Sequence, residues 1–125
     1  MSGFGGNPSA FSKVYESALQ TIPGVGSLVI AHDLAVMPKG VTAFLVCQTA
    51  EHNYSVGDVL VVNPSMNAAP DGSDARGVSI TFTSAAVYVR YSSSATAFAV
   101  LDKVGSVSSR LLTNANWQMK VEAWA

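Results

Sequence analysis

The groups in this chain that could do chemistry are two histidines, one cysteine, eight carboxylates and a supply of serines. A zinc site needs three or four His, Cys or carboxylate ligands at suitable spacing. His32 and His52 stand far apart in sequence, and Cys47 is the only thiol. His32 ends an apolar run, where a hydrogen-bonded structural histidine is expected, and His52 falls in a polar loop. Nucleophilic catalysis of the hydrolase kind would show Gly-x-Ser-x-Gly, and no serine here has those neighbours. Glycoside hydrolysis needs two carboxylates flanking a sugar. Glu16, Asp33, Glu51, Asp58, Asp71, Asp74, Asp102 and Glu122 mostly sit beside turn residues, where acidic groups serve the backbone. Asp71-Gly72-Ser73-Asp74 resembles a calcium loop only in outline, without alternating oxygen ligands or a closing glutamate. The expectation is a protein without catalysis, cofactor or obligatory metal.

The elements that must carry these residues read as strands. Short stretches rich in Val, Thr, Tyr and Phe alternate with Gly, Asn, Asp or Ser, the pattern of an all-β domain. The spacing predicts a first strand over Val14–Ile22, ended by Pro23-Gly24, and a second over Gly26–His32. A third, Val41–Thr49, is apolar on both faces. Glu51–Gly57 is a loop, Asp58–Asn63 a short strand, and Pro64–Arg76 a long irregular segment. Val78, Ile80 and Phe82 share one face, as do Val87, Val89 and Tyr91, with Tyr88 and Arg90 opposite. Thr96–Asp102 returns, a serine-rich stretch leads to Leu111-Leu112, and Thr113–Asn116 turns into the last strand, Trp117–Trp124. There Trp117, Met119, Val121 and Ala123 form one face, and Gln118, Lys120, Glu122 and Trp124 the other. The prediction is a single antiparallel β-sandwich over residues 14–125, jelly-roll-like, with eight or nine strands. Its expected core comprises Val78, Ile80, Phe82, Val87, Val89, Trp117, Met119 and Val121. Residues 1–13 read as an N-terminal arm.

A chain of 125 residues is one domain by size. Charged residues make up 12% and apolar ones 49%, which leaves little polar surface for a lone monomer and implies burial against other copies. The net charge of −1, with scattered cations, argues against nucleic acid. No apolar run is long enough to span a membrane, and the first residues carry no signal-peptide pattern. A single cysteine fits synthesis in a reducing compartment. Contacts are expected from Phe4 and Phe11 in the arm, from Asn53, Tyr54, Asp71 and Asp74 in the loops, and from Tyr88 and Arg90. Trp124, on the polar face of its strand, is covered by the arm or by another subunit.

The segments Thr49-Ala50-Glu51, Tyr54-Ser55-Val56-Gly57-Asp58, Arg76-Gly77-Val78-Ser79, Val87-Tyr88-Val89-Arg90 and Thr113-Asn114-Ala115-Asn116-Trp117 occur in this order. Together they resemble a small β-sandwich domain of tailed-bacteriophage virion proteins, often found in tail fibres and tail-tip proteins. The resemblance covers about residues 15–125 and carries no catalytic residue. It implies a virion structural role, synthesis in the host cytoplasm, homotrimeric or higher assembly with other virion proteins, and attachment to host surface glycans. A capsid decoration protein and a stand-alone carbohydrate-binding module are the alternatives.

Overall fold

The computed structural model describes residues 13–67, 76–105, 107 and 109–125. Phe4, Phe11, Asp71 and Asp74 lie outside them, as does the middle of the long 64–76 segment.

The chain is all-β. One antiparallel sheet joins β1 (Val14–Glu16) and β2 (Gln20–Thr21) to β11 (Trp117–Trp124), then β4 (Gly40–Cys47) and β5 (Val59–Val61). The second runs β3 (Ser27–Ala31), β8 (Ala86–Tyr91), β7 (Arg76–Phe82) and β6 (Ser65–Asn67). A separate hairpin, β9 (Phe98–Leu101) with β10 (Ser109–Leu112), joins the same core. Early strands pair with late ones, β1 and β4 with β11 and β3 with β8, so both sheets are closed by long-range pairings.

Alternation dictates the faces. Ala43, Leu45 and Cys47 of β4 are buried, as are Trp117, Met119, Val121 and Ala123 of β11. From the other sheet Ile30, Val78, Val87, Val89 and Tyr91 meet them, with Ile80 and Phe82 packed at the margin, so the expected core is the core. Fully burying side chains of this kind stabilises by about 1.5–3 kcal/mol each. The outward set is equally regular: Val29, Tyr88 and Thr81 lie in one cross-strand row, and Ser27, Arg90 and Ser79 in the next.

Three departures raise the strand count to eleven among the described residues. First, the expected strand Val14–Ile22 is split. Val14–Glu16 and Gln20–Thr21 pair with β11 in registers that differ by one residue, which makes the intervening Ser17–Leu19 a bulge. Ser17 Oγ accepts from Val121 N (2.9 Å) there, so a hydroxyl stands in for a ladder carbonyl. Second, Ser65–Asn67, inside the segment expected to be irregular, pairs with Arg76–Val78. Third, the serine-rich approach to Leu111 already forms β10 against β9.

A 3₁₀ turn at Asn114–Asn116 then ties the hairpin down. The buried Asn114 side chain accepts from Ala97 N (3.0 Å) and donates to Ser94 O (2.8 Å). Buried His32 donates from Nε2 to Thr83 O (2.8 Å) and accepts from Leu34 N at Nδ1 (3.1 Å). Both ring nitrogens are thus spent on the backbone, as its place at a strand end suggests.

Candidate functional site

The densest polar constellation is the 51–58 loop where it rests on the β9–β10 hairpin. Tyr54 N donates to Glu51 O (2.8 Å), closing a tight turn whose central residues, His52 and Asn53, take positive φ values of 50° and 67°. Asn accepts that conformation readily and His less so. Gly57, at φ 91°, lets the chain fold back so that its N–H reaches Cys47 O. Asp58 caps the loop by accepting from Ser55 N (2.8 Å) and from Lys103 Nζ (2.8 Å). The lysine first, then the amide, hold its carboxyl below the usual aspartate range.

Glu51 is the keystone. Its Oε2 accepts from Trp117 Nε1 (2.7 Å) and from Thr113 N (2.9 Å), while Oε1 lies 3.6 Å from His52 Nε2. Tyr54 sets its ring edge-on to Trp117, with centroids 5.3 Å apart, and donates its hydroxyl to Leu101 O (2.7 Å). Burial, with Asp102 and Asp58 nearby, pushes that phenol up. Asn53 donates to Val104 O (3.0 Å), and His52 Nε2 donates to Leu111 O (3.0 Å). Beside them Arg110 Nε binds both carboxylate oxygens of the nearly buried Asp102, at 3.2 and 3.1 Å. These bonds fasten two loops of one chain together.

Below this clamp opens a groove of about 520 Å³, within the size range of ligand clefts. Its walls are Leu60–Asn63 on one side and Ala97–Leu101 on the other. Leu45, Gly77 and Val78 form the floor, and Tyr54 closes one end. The lining residues are mostly apolar, while polar atoms make up nearly half of the lining surface.

The contact residues expected from sequence are thus dispersed. Asn53, which is exposed, and Tyr54, which is half-buried, belong to the clamp, and each donates its side-chain hydrogen bond to a backbone carbonyl across it. Tyr88 and Arg90 are exposed on the outer face of the second sheet. Trp124 is half-buried on the outer face of the first, with its indole lying over Gly40, where a Cβ would collide with the ring. Glu51, Asp102 and the groove were not singled out by the sequence. The Thr49-Ala50-Glu51 segment marked the right place, but nothing in it signalled a sheltered carboxylate.

Among the described residues no group of three or more His, Cys, Asp or Glu could hold a metal ion. Cys47 is buried, and its Sγ donates to Thr49 O (3.2 Å). Burial pushes the thiol up, reinforced by the charges of Asp58 and Glu51, the opposite of the environment that makes a reactive thiolate. Among the described residues no helix is long and apolar enough to cross a membrane. No protein-family model matches the chain, and no curated protein matches it.

Proposed function

We propose that this chain is a structural protein of a bacteriophage particle, a tail-fibre or tail-tip component that assembles as a homotrimer and contacts the host surface. One observation carries the assembly half of this reading. Val59 and Val61 are 56% and 52% exposed on the outer face of the edge strand β5, and they continue into the half-buried Phe44 and Val46 of β4. An apolar strip running to a sheet edge is a surface that gains by being covered. Its polar counterpart, the clamp of Glu51, Asn53, Tyr54 and Asp58, spends its groups on holding loops, as a scaffold requires. The resemblance of the ordered turn and strand segments to those of phage virion domains supports the particle assignment. The exposed Tyr88 and Arg90, residue types favoured at contact hot spots, support an outward-facing role for the second sheet. Electron microscopy of the particle with labelled protein tests the proposal. A few copies on the tail are expected, and hundreds of copies on the head would replace it with a decoration protein.

A further inference from the structure

The groove and the apolar strip share β5, and the backbone of that strand says what the groove could take. Val62 N donates to Ala43 O and Cys47 N to Asp58 O, so Asp58, Leu60 and Val62 turn their backbone groups toward β4. By the alternation of an antiparallel ladder, Val59, Val61 and Asn63 turn theirs to the open side. Among the described residues β5 has no second neighbour. The facing wall is similar. Among the described residues β9 pairs with β10 alone, and the groove is lined by all of Ala97–Leu101 and by no residue of β10, so it runs along the other edge of β9. The edge of β5, with its odd-numbered amides and carbonyls outward, and the edge of β9 therefore flank an apolar floor of Leu45 and Val78, with Leu60 and Phe98 at its margins. That combination recognises an extended peptide: main-chain hydrogen bonds give affinity, and a floor pocket takes one side chain.

The chain carries a suitable segment. Lys13 exchanges backbone bonds with Ala125 (3.0 and 2.9 Å), which prolongs the β1–β11 ladder by one pair. Lys13, the first described residue after this segment, thus lies on the edge of the first sheet opposite β5. Twelve extended residues span roughly 40 Å. Phe4, with Gly3 and Gly5 on either side, offers one bulky apolar side chain on a backbone that can approach closely. We propose that the β5–β9 groove is a strand-insertion slot filled by residues 1–12 of a second copy of this chain. The inference rests on the self-assembly part of the proposed function and gives it a surface.

The test combines light scattering with amide hydrogen exchange. It compares the full chain, a chain lacking residues 1–12, and Val61→Pro, which removes an outward N–H while sparing the β4 ladder. The expected result is an oligomeric full chain whose Val61 amide exchanges about tenfold or more slowly than in the shortened chain. Both variants should be monomeric, and a synthetic peptide of residues 1–12 should restore slow exchange to the shortened one. A monomeric full chain with a slow Val61 amide would overturn the second-copy assignment, because the segment would then fill its own groove. An oligomer that survives the deletion, with Val61 fast in both forms, would overturn the slot and leave self-assembly standing. If Val61→Pro fails to fold, the deletion and the added peptide decide the matter alone.

Discussion

The 51–58 loop and the groove beside it are built from adjoining stretches of chain, yet they treat their hydrogen-bonding groups in opposite ways. In the loop, Glu51, Asn53, Tyr54 and Asp58 each bond a backbone group or a side chain of the same molecule. Along the groove, the odd-numbered residues of β5 hold their amides and carbonyls toward open space above an apolar floor. The polar residues most suggestive of recognition are thus the ones already engaged. The capacity to bind is left with backbone and valines. A surface rich in Asn, Asp and Tyr is not by itself a binding surface, because what counts is how many of those groups remain unpaired after folding.

That contrast can be broken or sharpened by substitution. The largest effect is expected from Glu51→Ala, which strips the acceptor from Trp117 Nε1 and Thr113 N. Two donors left without partners at a largely sheltered position should cost about 3 kcal/mol, read from the urea midpoint of unfolding. A loss below about 1 kcal/mol would show that water replaces the carboxylate and that the clamp is dispensable. Tyr54→Phe keeps the ring against Trp117 but removes the bond to Leu101 O. About 1 kcal/mol is expected, with faster exchange confined to the hairpin.

Acid should act on the same clamp. Because the folded-state pKa of Asp58 is lowered, its contribution is fully present above the ordinary aspartate value of about 3.9. It is lost as the pH falls through the lower folded value. Chemical shifts of Ser55 and Lys103 should therefore move together below that range, and Asp58→Asn should abolish the coupled shift. The smallest change in stability belongs to the other side of the comparison. Val59→Ser, Val61→Ser, Tyr88→Ala and Arg90→Ala should each alter unfolding by no more than about 0.5 kcal/mol. The two valine changes should weaken self-association by light scattering, whereas the Tyr88 and Arg90 changes should reduce host adsorption. A valine change that destabilised as much as Glu51→Ala would mean that the strip belongs to the fold rather than to an interface.

The parts of this molecule that were legible in the sequence are those governed by period-two alternation. Val78 to Phe82, Val87 to Tyr91 and Trp117 to Ala123 announce their faces because each strand has one buried side, and register follows from that asymmetry. The break at Ser17 was hidden because a serine hydroxyl takes over a ladder bond without disturbing the apolar pattern around it. The strand at Ser65–Asn67 was hidden for a different reason: its residues have low strand propensity, and only pairing with β7 makes them extended. Glu51 illustrates the limit at the candidate site. Its partners are at positions 113 and 117, more than sixty residues away, so its sheltered state is a property of the fold and not of its neighbours in sequence.

The chain contains two tryptophans, and the fold assigns them very different surroundings. Trp117 is 2% exposed, with its indole N–H on a carboxylate and a tyrosine at its edge, while Trp124 lies half-open over Gly40. The molecule therefore carries two optical reporters in separate places. A quencher in solution should dim Trp124 first and leave the emission of Trp117 as a private signal of whether the clamp is shut. Light absorbed by one unlabelled protein can then distinguish loosening of the loop from events at the opposite end of β11.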